Sequence, residues 1–199
     1  MKKLEILLAS ASPRRAEILS SLGIPFTVIR PDVDESSDVR DPEELTRELA
    51  FRKGREALRM LGGKCDGKLI ISCDTVVYCD GEILGKPEND GDARRMLRLL
   101  SGKTHRVVSG ICVLTDEKQL CAAESTDVCF GELSDADIEF MIETGEARDK
   151  AGAYAVQGLA SMYIEGLRGD YFNVVGLPVN LLCRTLKDGF GIEMRTLIR

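Results

Sequence analysis

What this sequence lacks sets the first bounds on it. No apolar run approaches the roughly 20 residues that span a bilayer, so no membrane helix is expected. Met1-Lys2-Lys3 leads directly into a short strand-like run, Leu4 to Ala9, too brief for the core of an export signal. There is one histidine, His105. A Cys–His nucleophile pair would have to use it, and no third orienting group is indicated. The seven cysteines (65, 73, 79, 112, 121, 129 and 183) contain no C-x-x-C, and several sit inside apolar runs. That is the usage of small buried residues in a reducing compartment. Neither a disulfide framework nor a thiolate zinc site is expected, and the expected location is the cytoplasm. The dinucleotide fingerprint G-x-G-x-x-G is absent. Ser101-Gly102-Lys103-Thr104 imitates the end of a P-loop, but position 97, where the first glycine belongs, is Leu97. Internal repeats, low-complexity segments and linkers are missing too.

What is there describes an ordinary globular chain. Its 199 residues suffice for one α/β domain or two lobes sharing a core. The net charge of −6 argues against general affinity for a nucleic acid polymer or an anionic membrane. A small polyphosphate still binds such a chain wherever positive groups converge.

Leu4–Ala9 reads as a buried strand, followed by a helix that Ser12 can cap, with Pro13 at its first position and Gly23 past its end. Phe26–Ile29 reads as a second strand. Asp41-Pro42-Glu43-Glu44 opens a helix that runs to about Leu61. Leu69–Val77 is a central strand and Asp90–Leu100 a helix. Val107–Thr115 and Leu120–Val128 form a strand pair about the turn Asp116–Gln119. Ser134 starts a helix through Ile138, Met141 and Ile142. A Gly-rich stretch with short strands, Gly152 to Gly176, precedes a last helix from near Pro178. Strands interleave with helices, so the expected class is α/β with a mixed twisted sheet and flanking helices.

Three features break their local pattern. Arg14 and Arg15 occupy a helix's first turn, where cations oppose the dipole but the free N–H groups attract anions. They are either solvated charges or a phosphate site. Lys53 falls in the middle of the apolar arc of its helix, so it snorkels or meets an anion. Asp74 interrupts Leu69-Ile70-Ile71-Ser72-Cys73-Asp74-Thr75-Val76-Val77, and there it either bonds nearby amides or faces a cation at a functional edge. Lys86, in Leu84-Gly85-Lys86-Pro87, reads alone as a solvated turn lysine.

Taken together, six blocks are similar to the Maf family of nucleoside triphosphate pyrophosphatases. They are Leu8-Ala9-Ser10-Ala11-Ser12-Pro13-Arg14-Arg15, Cys73-Asp74-Thr75-Val76-Val77, Leu84-Gly85-Lys86-Pro87, Ser101-Gly102-Lys103-Thr104-His105, Asp149-Lys150-Ala151-Gly152-Ala153-Tyr154 with Gln157-Gly158, and Asn173-Val174-Val175-Gly176-Leu177-Pro178. The resemblance covers residues 4 to about 186 of a single domain spanning 1–199, and leaves the tail from 187 uncovered. It implies two lobes around a cleft, a fold like the inosine triphosphate pyrophosphatases, and hydrolysis of a nucleoside triphosphate to monophosphate and pyrophosphate with Mg²⁺ or Mn²⁺. By position it makes Asp74 the catalytic base. Ser10, Arg14, Arg15, Lys53, Thr75, Lys86 and Gln157 become substrate-binding residues, and Glu35 with Asp74 the metal carboxylates. Arg14, Thr75 and Gln157 match positions tied to base preference.

Ser-Pro-Arg-Arg without an inserted residue resembles the dTTP/UTP branch, not the branch acting on 7-methyl-GTP. Ser72-Cys73 departs from the family's common Gly-Ala. The resemblance also implies a homodimer. It leaves two alternatives open: a nucleotide-binding regulator of septum formation without catalysis, and a pyrophosphatase for another modified nucleotide.

Overall fold

The computed structural model describes residues 4–198. Seven strands form one mixed sheet: β1 (Glu5–Ala9), β2 (Phe26–Ile29), β3 (Lys68–Cys79), β4 (Glu82–Leu84), β5 (Thr104–Leu114), β6 (Gln119–Phe130) and β7 (Ile164–Arg168). The order is β2-β1-β3-β5-β6-β7, and β4 pairs with β3 off that path. The helices are α1 (Pro13–Ser21), α2 (Pro42–Met60), α3 (Asp90–Leu100), α4 (Asp135–Glu143), α5 (Tyr171–Val175) and α6 (Val179–Arg184). The mixed α/β class expected from the alternation is the class observed.

β1 runs parallel to both neighbours, Ile6 standing opposite Phe26 on β2 and Leu69 on β3. A strand flanked this way is covered on both faces, which is why Ile6-Leu7-Leu8-Ala9 is apolar without alternation. β4 and β7 are antiparallel additions, to β3 and β6 respectively.

The chain divides into two compact units. The first comprises residues up to Asp74, 109–124, and those from Gly176 onward; β1, β2, α1, α2 and α6 lie in it. Part of its core is Leu7, Ala9, Ala50, Ala57, Ile70, Cys112 and Leu114. The second comprises Thr75–Val108 and Ser125–Val175, with a core that includes Leu84, Leu97, Leu100, Phe130, Met141 and Tyr154. β3, β5 and β6 supply residues to both.

Local chemistry explains most boundaries. Asp41 caps α2 by accepting from the Glu44 N–H at 2.8 Å, and Ser134 with Asp137 forms a reciprocal capping box on α4. Ser12 does not cap α1 with its side chain, contrary to expectation. It occupies the N-cap position, but the contact at that corner is its own N–H donated to Ser10 Oγ at 3.1 Å.

β3, β5 and β6 extend beyond the expected runs. β4 and α5 were not expected at all, being too short to establish a periodicity. The cysteine reading needs one correction. Cys112 and Cys121 are joined as a disulfide, and five of the seven remain free. The turn between β5 and β6 is closed by the Thr115 N–H on the Lys118 carbonyl at 2.8 Å. Counting three residues outward on each arm sets 112 opposite 121, a juxtaposition made by hairpin register and invisible in cysteine spacing. Among the described residues no helix is long and apolar enough to cross a membrane.

Candidate active site

Two of the expected site residues of the first unit lie on the C-terminal side of the parallel pair β1 and β3, the usual position for a site in an open α/β sheet: Ser10 follows the last residue of β1, and Asp74 lies two residues past the end of the β1–β3 pairing. Asp74 stands on β3 with its side chain 9% exposed, and its Oδ1 accepts from Lys53 Nζ at 2.5 Å. Lys53 Nζ also meets Glu35 Oε1 at 2.7 Å. One ammonium therefore sits between two carboxylates. The lysine side chain is 13% exposed, so the inward-facing position read from its helix is the observed one, and it meets an anion.

Helix α2 comes unusually close to the sheet here, and small residues permit it. A Cβ on Gly54 would lie 2.4 Å from Leu114 Cδ1 and 2.8 Å from Ser72 Oγ. Four residues earlier, Ser72 Oγ donates to the Ala50 carbonyl at 2.6 Å. A Cβ on Gly110 would stand 2.3 Å from the Thr46 backbone carbonyl. Ser72 and Asp74 share one face of β3, while Ala50, Lys53 and Gly54 share one face of α2. Close packing through Gly54 and Ser72 thus brings Lys53 level with Asp74.

Glu35 lies in an irregular segment, and sequence reading missed what holds it. Arg52 Nη1 donates to the carbonyls of Asp34 and Ser36, at 2.9 and 2.8 Å, gripping the backbone on both sides of Glu35. Arg52 also pairs with Glu48, and Ser36 hydrogen bonds hold the Asp34 carboxyl below the usual carboxylate range. The available signal was weak: an arginine next to the anomalous lysine, on a helix whose partner segment has no periodicity.

The arginine pair divides. Arg14 is half-buried in the first turn of α1, while Arg15 is buried. Arg15 Nε donates to the Gly176 carbonyl at 2.8 Å and Nη1 to Ser10 Oγ at 3.2 Å. Cys73 Sγ approaches the same Gly176 carbonyl at 3.2 Å. Arg15 therefore ties the end of β1 to the segment before α6, so the solvated reading does not apply to it. Ser10 is buried at the end of β1, its N–H on the Ile29 carbonyl at 3.0 Å.

The other three expected residues belong to the second unit. Thr75 follows Asp74 on β3 and is half-buried. Lys86 is exposed in the loop after β4, and Gln157 is exposed in a tight turn closed by the Gly158 N–H on the Ala155 carbonyl at 3.1 Å. Elsewhere in that unit His105 is buried, which removes the only histidine from surface chemistry.

Within the first unit the chemistry is thus a carboxylate fixed by a cation, a second carboxylate on the same cation, and a helix N-terminus with a half-buried arginine. Such a set can orient water and hold an anion. Comparisons with known proteins give it a context. The family model described as "Maf-like protein" matches residues 5–189. The chain is 45% identical over 190 residues to the dTTP/UTP pyrophosphatase of Thermococcus gammatolerans, covering 96% of this chain and all of that one. It is 45% identical over 193 residues to the protein of the same name from Symbiobacterium thermophilum, covering 96% and 97%. Among solved structures, the Staphylococcus aureus Ham1 protein has the same fold. It matches with a TM-score of 0.53 at 16% identity, over 92% of this chain and 98% of that one.

Proposed function

The chain belongs to the Maf-like protein family, and on that premise we propose that it hydrolyses dTTP and UTP to the nucleoside monophosphate and pyrophosphate. Water attacks the α-phosphorus, the bond from that phosphorus to the bridging oxygen breaks, and pyrophosphate leaves. The observation that carries this reading is the carboxylate of Asp74, set in an apolar strand and held at 2.5 Å by Lys53. A module that only bound nucleotide would need cations, but not a largely buried carboxylate aligned by one of them.

Asp74 is assigned as the base that takes the water's proton as the new O–P bond forms. Lys53 holds Oδ1 and so fixes the carboxylate's orientation, and its charge offsets that of the phosphate chain. Arg14, Lys86 and the first-turn N–H groups of α1 answer the rest of that charge. Ser10 lines the site, and Arg15 keeps Ser10 and Gly176 in place. Thr75, Gln157 and Arg14 are assigned to the base.

Asp74 and Glu35 fit a divalent cation. Two carboxylates are the share of hard oxygen ligands a protein commonly gives Mg²⁺ or Mn²⁺ when phosphates supply others. Among the described residues no cluster of three or more His, Cys, Asp or Glu side chains suits a metal, so an all-protein cage is not expected. Bound there, the cation would supply Lewis-acid stabilisation of the phosphate oxygens. Action in the cytoplasm, as a homodimer, belongs to the same proposal.

The experiment is a panel of standard and modified nucleoside triphosphates with Mg²⁺ or Mn²⁺ supplied, scoring pyrophosphate against orthophosphate. UTP and dTTP should yield pyrophosphate first. Orthophosphate as the primary product, or binding without turnover, would reject the reading.

A further inference from the structure

Glu146, in the turn after α4, has no part in the chemistry assigned above, yet its carboxylate is fully engaged by backbone. Oε2 accepts from the Leu159 N–H at 2.6 Å and Oε1 from the Ala160 N–H at 3.1 Å. One carboxylate thus spans the first two amides of the short 3-10 turn Leu159–Met162. Charge-assisted bonds of this kind are stronger and more directional than neutral ones.

The residue before those amides is Gly158. Its φ of −131° is extended backbone that any residue adopts, so conformational freedom does not explain the glycine. Space does. A Cβ at Gly158 would fall 2.2 Å from Glu146 Oε2 and 2.5 Å from its Cδ. The chain is kept bare at 158 so that this carboxylate can lie against it.

Gln157 comes immediately before, exposed, as a central residue of the 155–158 turn. Upstream the chain is anchored by Tyr154, buried in the core of the second unit. Downstream the anchor is Glu146. The Gln157 carboxamide therefore projects from a short bridge between an apolar anchor and an ionic one. A carboxamide can accept from the N3–H of uracil or thymine while donating to O4. It performs both only if its backbone is fixed, since discrimination of this kind rests on leaving the wrong base's polar groups unpaired.

We propose that Glu146 is a positioning residue for base selection: by holding the amides of Leu159 and Ala160 it fixes Gln157 against the pyrimidine. The inference rests on the proposed activity and on the assignment of Gln157 to the base. Its test compares kcat/KM for UTP and CTP, which differ in the donor and acceptor pattern at positions 3 and 4 of the ring. The variants are Glu146→Ala, Glu146→Gln, Gly158→Ala and the double variant Glu146→Ala/Gly158→Ala.

Glu146→Ala should lower the UTP-over-CTP ratio about tenfold, mainly by raising the KM for UTP with kcat little changed. Glu146→Gln, which keeps one acceptor, should fall between it and the wild type. Gly158→Ala should reproduce the loss in the wild-type background. Once Glu146 is truncated, adding Gly158→Ala should change the ratio less than about twofold, because the new Cβ enters vacated space. That non-additivity distinguishes positioning from a general loss of fold. Should Glu146→Ala not fold, Glu146→Gln and Gly158→Ala carry the test.

An unchanged ratio in folded variants, or additive effects in the double variant, would overturn the inference while wild-type UTP turnover stands. A wild type that releases no pyrophosphate from UTP would overturn the proposed activity, and this inference with it.

Discussion

Part of the weakening of this fold at low pH should come from a single buried residue, His105. The residue is 2% exposed, with Nε2 on the Tyr154 hydroxyl at 2.7 Å and Nδ1 without a hydrogen-bond partner among the described residues. The rings of Phe130 and Tyr154 stand edge-on to it at 5.2 and 5.3 Å. A protonated imidazole here would bury a charge with one N–H unanswered, and burial lowers the pKa from 6.5 to about 4.

The sign follows from proton uptake. Below 6.5 the unfolded chain binds a proton that the native chain refuses. The stability tied to this residue is therefore fully present above 6.5 and is lost as the pH falls toward 4. At about 1.4 kcal/mol per pH unit, the interval amounts to roughly 3.5 kcal/mol. Carboxylates titrate in the same region, so the assay is a difference. Urea unfolding of wild type and His105→Phe is followed from about pH 8 to about pH 4.5. The variant should start lower at high pH, having left a buried tyrosine hydroxyl without its partner, at a cost of about 1–3 kcal/mol. It should then lose less stability on acidification, so the two curves converge. Parallel curves would refute the reasoning.

Two further outcomes follow from the site and its packing. Lys53→Met should lower kcat/KM for UTP about 100-fold by releasing Asp74 and removing a charge from the phosphate site. It should also cost about 2 kcal/mol in unfolding experiments, less than a fully buried pair because both partners retain some solvent. Gly110→Ala should cost about 3 kcal/mol or more, or abolish soluble expression, because its Cβ would meet the Thr46 backbone, which has no rotamer to yield.

How much of this was legible in the sequence depended on whether a residue violated a periodicity. Asp74 and Lys53 stood out because each contradicts a regular apolar pattern, and the structure sets them 2.5 Å apart. Arg14 and Arg15 were flagged as a pair. The orientation of Arg15 depends on Gly176, 161 residues away, which no local pattern reports. Met60 belongs to the apolar arc of α2 by angle, yet it is the last residue of that helix and is 52% exposed.

Glu35 sits where the chain has no period, so only the family resemblance suggested it. Its clamp, Arg52, was missed because the interaction is with backbone carbonyls. Glu146 escaped for the same reason, since its partners are amides 13 and 14 residues away. Side chain to side chain chemistry leaves a trace in residue types, whereas side chain to backbone chemistry leaves almost none.

The claim on which the rest depends is that Asp74, aligned by Lys53, drives attack at the α-phosphorus. It is tested most directly by following UTP hydrolysis in wild type and Asp74→Asn, measuring UMP, pyrophosphate and orthophosphate from the same reaction. The wild type should form UMP and pyrophosphate in equal amounts from the first turnover, and Asp74→Asn should be slower by about 1000-fold while remaining folded. A variant that released pyrophosphate at near the wild-type rate would contradict the role given to Asp74, and early orthophosphate would contradict the site of attack.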